Sequence, residues 1–399
     1  MPMYNYRMAK DGAVVAGVLS APDESALAGR IRAQGGVLIS ARARASRGRR
    51  RVRVARRDLI TFTSHLHSSV SAGIPLLDSL RAFVQVLPEG GFSDVVGQIV
   101  TSLEAGKSLA DALREHPRTF PSLYVHMVET GEESGRMESV LESLLGYLEW
   151  QDEIVKDLRQ ATVYPTVVLS LVFALITFLL TFVLPRFIGI FSSTEMVLPT
   201  PTIWLMAVGN VFSHYWYWGL ALLGLAVAGL KWARRTPKGG VVIDHLLFRL
   251  PVFGTSILYI ALSRLTYSLG LLLDAGIDIS RSLTLTTGAV GNRYLARETT
   301  HIHDRVLAGH GLAESIGRSD IFPPLMLQMV TIGEQSGTLP QTLDRMTDYL
   351  KREVKASLKR AFSILEPAIT VFLGVVVGGI ALIIFYTLYR LIMAVGAGH

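Results

Sequence analysis

The apolar and polar positions of this chain follow two regimes. From Asp58 to Ala72, apolar residues recur at Leu59, Phe62, Leu66 and Val70, the interval of one face of a helix. From Val163 to Leu184 there is no charge at all, and such a run is long enough to cross a bilayer as a helix. The first pattern predicts a helix that buries one stripe in a bundle; the second predicts a helix surrounded by lipid. Two more uncharged runs follow. Ile203 to Leu230 is diluted in its first half by Asn210, Ser213 and His214, and Ile369 to Leu388 is dry throughout.

The alternation between regimes occurs twice. Ala72-Gly73-Ile74, Phe120-Pro121, Gly131-Glu132-Glu133-Ser134-Gly135 and Tyr164-Pro165 stand in the same order as Ala275-Gly276-Ile277, Phe322-Pro323, Gly333-Glu334-Gln335-Ser336-Gly337 and Glu366-Pro367. The separations agree to within about one residue, so a unit of roughly 200 residues is duplicated rather than stacked as an array. Each copy reads as about six helices. In the first copy, Gly73 and Gly106 end helices, Pro75 opens one, and Ser108 with Asp111 resembles a capping box. Thr338 and Gln341 form a similar box in the second.

Gly131, Gly135, Gly333 and Gly337 are expected to permit sharp helix reversals. The last helix of each copy has no stop except Pro165 in Met137 to Leu184 and Pro367 in Pro340 to Leu391. Both prolines fall where charge gives way to apolar sequence, so they predict kinks at a membrane surface. Gly374 and Gly378, four apart in the last run, form a small-xxx-small pattern that lets helices approach closely.

Residues 1–40 read as a small α+β module, with alternation at Tyr4 and Tyr6, a turn at Asp11-Gly12, a helix start at Ala21-Pro22-Asp23-Glu24 and a returning strand over Val37 to Ile39. Nine arginines lie in 41–57; a block that repels itself this strongly is expected to be an extended linker. Nucleic acid is disfavoured as its partner because no aromatics interleave, whereas anionic lipid or an acidic protein fits. The predicted order is then a first helical repeat 58–162, a span 163–184, an outer loop 185–202, a span 203–230, a connector 231–261, a second repeat 262–362 and a span 363–391.

Charge sets the expected orientation. Lys156 and Arg159 precede the first span, and Lys231, Arg234, Arg235 and Lys238 follow the second, whereas the loop between them has only Arg186 and Glu195. By the positive-inside rule both repeats and the N-terminus are cytoplasmic. The first ten residues lack an apolar h-region, so no secretory signal is expected. The 399-residue chain carries a net charge of +7 and no cysteine, which removes disulfides and thiolate metal sites. Its mean hydropathy is +0.39, as expected of a membrane protein.

No enzyme signature emerges. Ala105-Gly106-Lys107-Ser108 looks like the tail of a phosphate-binding loop, but Thr101 stands where the motif needs its first glycine. His65 and His67, like His301 and His303, are two apart and diverge on a helix. Glu132, Glu133 and Glu334 sit at helix-end turns with no nucleophile near them in sequence. They are expected either to bind exposed backbone or to meet a basic partner. No catalytic, cofactor or metal site is expected. Ionisable residues are absent from the centres of the spans, which argues against the alternative of a transporter or permease built from a repeat.

Taken together, the paired Gly-Glu-x-Ser-Gly signatures, Ala72-Gly73-Ile74-Pro75-Leu76, Val183-Leu184-Pro185-Arg186-Phe187, Leu198-Pro199 and Leu365-Glu366-Pro367 resemble the inner-membrane platform proteins of type II secretion and type IV pilus assembly, the GspF/PilC family. The likeness covers nearly the whole chain. Departures are Ser64-His65, where an Arg-Gln pair is usual, and Phe385-Tyr386-Thr387-Leu388, where the family has a proline pair. The resemblance implies a non-enzymatic, multi-pass adaptor of the bacterial inner membrane, forming a homo-oligomer. Its implied partners are a hexameric cytoplasmic assembly ATPase, pilin or pseudopilin subunits and other inner-membrane assembly proteins.

Overall fold

The computed structural model describes residues 3–10, 13–20, 24–33, 35–44, 54–88, 90–183, 185–186, 200–251 and 253–396. Asp11-Gly12, the start of the first helix at 21–23, most of the arginine linker, and the outer loop with Leu198-Pro199 lie outside the described residues. The chain divides into two compact units, Met1–Phe120 and Pro121–His399.

The first unit opens with strands β1 (Met3–Lys10) and β2 (Ala13–Ser20), helix α1 (Glu24–Ala33) and strand β3 (Val37–Arg44), in the antiparallel order β2-β1-β3. Met8, Leu27 and Ile31 make its small core, with Leu38 and Ala41 packed on it. The strand runs further than the three residues expected. Arg42 and Arg44 pair with Asn5 and Met3, so the module takes in the first arginines of the linker.

Four helices follow: α2 (Arg56–Ser71), α3 (Leu76–Val86), α4 (Gly91–Glu104) and α5 (Leu109–Arg114). The stripe read in α2 is buried at Leu59, Phe62 and Leu66. Phe62 is the hub, its ring centroid 5.8 Å from Phe83, 6.0 Å from Phe92 and 5.5 Å from Phe120. Such inclined contacts add to area burial because ring edges meet ring faces. The apparent phosphate-loop tail is a helix connection. Gly106 has φ +87°, Lys107 pairs with Glu115, and Ser108 Oγ accepts the Asp111 backbone N–H at 3.0 Å.

The second unit begins with α6 (Ser122–Ser134) and α7 (Met137–Phe178), which continues as a π-helical turn over Leu179–Val183. Then come α8 (Thr200–Arg235), α9 (Pro237–Phe248) and the second repeat: α10 (Gly254–Asp274), α11 (Ile279–Ala289), α12 (Arg293–Leu307), α13 (Leu312–Ile316), α14 (Pro324–Ser336) and α15 (Leu339–Gly396). The helices α2 to α7 and α10 to α15 therefore correspond one to one. Positive φ recurs at matching glycines, +73° and +86° at Gly73 and Gly276, +87° and +90° at Gly106 and Gly309, +69° and +70° at Gly135 and Gly337.

Leu262, Leu265, Leu269, Met326, Met346 and Leu350 lie at the centre of the second repeat's core. Helix α10 is as long and apolar as a membrane span, but 56% of its apolar window is buried inside the protein, against 11% for α7 and 6% for α15. Apolarity in α10 therefore serves a core. In α7 and α15 it is displayed outward, as lipid contact requires. Helix α8 reaches span length as a bent pair, turning by 56° between Phe212 and Tyr217, near the polar interruption at Asn210 and His214. The three apolar segments touch through Ile176, Leu179, Leu180, Leu205, Val376 and Ile380. Thr202 and Thr387 share a buried hydroxyl hydrogen bond of 2.7 Å.

Both α7 and α15 continue as helix through Pro165 and Pro367, and Tyr164 Oη reaches Glu366 Oε1 at 3.4 Å, so the two prolines lie at the same level. A Cβ added at Gly374 or Gly378 would meet nothing within 4 Å. The small-residue face is therefore not where the described apolar helices of one chain pack together.

Candidate functional site: the repeated signature turns

In the second repeat four of the five residues of Gly-Glu-Gln-Ser-Gly have a physical task. Gly333 is buried where α14 lies against α15; a Cβ there would fall 2.1 Å from Thr342 Oγ1 and 3.2 Å from Leu339 Cα. Glu334 accepts two backbone N–H groups, from Leu312 at 2.6 Å and Ala313 at 2.8 Å. These are orphan donors at the start of α13, whose N-cap Gly311 offers no side chain. Ser336 Oγ donates to Ile332 O at 2.7 Å. Gly337 closes the helix in the left-handed region, and Thr338 N–H bonds Gly333 O at 2.8 Å, a tight C-terminal closure of Schellman type.

The first repeat shares the ends of this pattern. Gly135 has φ +69°, and a Cβ on Gly131 would lie 3.2 Å from Val140 Cβ. Ser134 Oγ donates to Thr130 O at 2.6 Å. Glu132 is half-buried and Glu133 is exposed. The three glutamates that the sequence groups as one acidic set therefore divide. Both oxygens of Glu334 are engaged by backbone, and of the three only Glu133 is exposed.

Contacts between the two repeats within the second unit were not legible in the sequence. On α6, His126 Nδ1 lies 2.8 Å from Glu129 Oε2, and the Arg281 guanidinium of α11 reaches them at 3.0 and 3.5 Å. Tyr147 and Trp150 of α7 pack on Tyr267 of α10 at 5.4 and 4.8 Å between centroids. Burial, reinforced by nearby Asp344, pushes the Tyr267 phenol up to about 12. Farther along, Glu153 takes Lys351 at 2.5 Å and Lys355 at 3.2 Å, and Lys355 also reaches Asp157 at 3.2 Å. This ladder joins α7 to α15, and the hydrogen bond from Lys351 holds the Glu153 carboxyl below its usual range. Periodicity finds each helix but does not say which faces meet.

Two of the histidines singled out by spacing make contacts within their own repeats. His65 Nε2 is 3.0 Å from Ser79 O with its ring stacked on Phe83, and His303 Nε2 is 3.1 Å from Ser280 Oγ. Among the described residues, no three His, Asp or Glu side chains converge as metal ligands would.

A family model described as type II secretion system protein F matches residues 62–185 and again residues 265–387. The chain belongs to that family. Each match starts in the first helix of a repeat and ends in or just past the apolar part of the last, so the family unit is the duplicated bundle with its attached span. A type II secretion system protein F from Xanthomonas campestris is 30% identical over 99% of this chain and 100% of its own length. A type IV pilus assembly protein PilC from Thermus thermophilus is 32% identical over 84% of this chain and 83% of its own. Another PilC, from Myxococcus xanthus, is 27% identical over 85% and 81%. Type II secretion protein F and PilC proteins are thus related at similar distance to this chain, a membrane protein with an internal duplication.

Proposed function

We propose that this protein is the inner-membrane platform of a type II secretion or type IV pilus machine, with both repeats cytoplasmic. In this reading it couples a hexameric assembly ATPase to the insertion of pilin-like subunits into a filament, working as a homo-oligomer beside other inner-membrane assembly proteins. The observation that carries the reading is the continuity of α7 and α15. Each leaves a packed bundle and runs unbroken into an apolar segment. At 1.5 Å per residue, the 58 residues of α15 make a rod on the order of 85 Å long. The Glu153 ladder fastens the two rods where they leave the bundle, so a push on the bundle is delivered to the span.

The ATPase contact is assigned to the exposed rim of the signature turns, where Glu133 faces solvent beside the half-buried Glu132. Glu334 supports the matching rim of the second repeat by holding α13. Exposed ion pairs are individually worth about 0–1 kcal/mol, so the test changes both rims together. Glu133→Lys with Gln335→Lys leaves the backbone-bound Glu334 intact. Co-purification of the ATPase with the full chain is expected to fall, with unchanged thermal unfolding. Retention at wild-type levels would make the turns purely structural, and ATP hydrolysis by the purified chain alone would overturn the adaptor reading.

A further inference from the structure

Where α8 leaves its apolar run, its last turns carry Lys231, Arg234 and Arg235. Arg293, the first residue of α12, stands opposite. These four cations, with Asp244 and Gly291, line an open pocket of about 370 Å³. Asp244 is the only acid among them and is 1% exposed. Its Oδ1 is 2.8 Å from the Arg234 guanidinium, and its Oδ2 accepts the Arg293 backbone N–H at 2.7 Å. The Arg293 guanidinium donates to Thr236 O at 2.8 Å. Small residues make the room: a Cβ on Gly240 would lie 2.3 Å from Arg293 Nη1. Two arginines are thus fixed by a buried carboxylate and a carbonyl. Lys231 and Arg235 are exposed and form no ion pair among the described residues.

We propose that this pocket binds the phosphate of an anionic phospholipid headgroup, tying the end of α8 to the second repeat. Arginine presents paired donors that match phosphate oxygens, and one carboxylate leaves most of the positive charge unanswered. Basic pockets beside membrane helices suit anionic headgroups. The depth also fits, because the pocket begins where the apolar run ends and Trp232 is exposed there, as aromatic residues are at the headgroup level. A soluble anion would gain nothing from that placement. The inference rests on the reading of α8 as a span whose charged end is cytoplasmic.

The test uses the full chain in neutral detergent, with native mass spectrometry of retained dioleoyl-phosphatidylglycerol against dioleoyl-phosphatidylcholine. Retention of the anionic lipid is expected, and K231Q/R235Q is expected to weaken it about 25-fold, since each cation near the surface contributes about fivefold. R352Q/K359Q removes two exposed cations from α15 and should leave it within about threefold. Equal weakening by the two double variants, equal retention of the zwitterionic lipid, or displacement by millimolar inorganic phosphate would each overturn the proposal. Sidedness is read separately. The chain has no cysteine, so Asp304→Cys reports alone; labelling only from the periplasmic face would overturn the orientation, whatever the lipid result.

Discussion

Replacing Gly333 by alanine isolates the closest helix approach in the signature. The added carbon would sit 2.1 Å from Thr342 Oγ1, 3.1 Å from Thr342 Cβ and 3.2 Å from Leu339 Cα. Rotation of Thr342 relieves the first contact but not the other two, so α14 must move off α15. Overpacking of this kind costs about 1–3 kcal/mol. Alanine returns up to about 1 kcal/mol of helix propensity over glycine. Because two contacts survive rotation, the overpacking cost falls in the upper part of its range, about 2–3 kcal/mol, so the net loss is about 1–2 kcal/mol, which is about five- to thirtyfold in the local opening equilibrium. Hydrogen exchange of the α14 and α15 backbone amides in the full-length protein reads that ratio directly.

Two controls separate the contact from any general effect. Gly131→Ala meets only Val140 and Met137 at 3.2 to 3.4 Å, so propensity offsets crowding and exchange in α6 should stay within about twofold. Adding Thr342→Ala to Gly333→Ala removes the worst contact and should recover part of the loss, a coupling visible in a double-mutant cycle. Unchanged exchange in Gly333→Ala, or strict additivity in the cycle, would refute the close-approach reading.

Glu334→Gln should lose about 1–2 kcal/mol of local stability, because the two backbone N–H groups bind different carboxylate oxygens and an amide keeps only one acceptor, leaving the other N–H facing an NH2, and exchange in α13 should rise about tenfold. Gly337→Val forces a β-branched residue to φ +70° and should cost about 1 kcal/mol or more, seen as a lower Tm of the full chain. The Glu153 ladder gives a pH signature. Its carboxyl is depressed in the folded chain, so the stabilisation is present above the unfolded Glu value of about 4.3 and is lost as pH falls through the folded one. The Tm difference between wild type and Glu153→Gln should therefore shrink below about pH 4; a constant difference would deny the ladder a role. For topology, Ser193→Cys should label from the periplasmic side and Asp304→Cys only after lysis; the opposite pattern would reverse the orientation.

Much of this architecture is carried by local chemistry. The 3.6-residue stripe of α2, the uncharged run at the end of α7 and the turn glycines each act within a few residues. Their spacing therefore states the helices, the duplication and the apolar segments directly. Gly135 and Gly337 are readable for the same reason, since a left-handed closure is a property of the residue that makes it.

Tertiary structure decided which surfaces meet and which charges are spent. Sequence could not separate Glu334 from Glu133, because a carboxylate is free or engaged according to backbone 21 or 22 residues away at Leu312 and Ala313. Nor could it name the neighbours that cover α10, whose apolar window is 56% buried inside the protein against 11% in α7 and 6% in α15. The Gly374 face, left open by the packing of Ile380 on Leu180, and the pocket formed around Asp244 depend on residues brought together across long separations. Hydrophobic periodicity fixes a helix and its apolar face, but pairing of faces depends on shape and charge complementarity that exists only once the chain has folded.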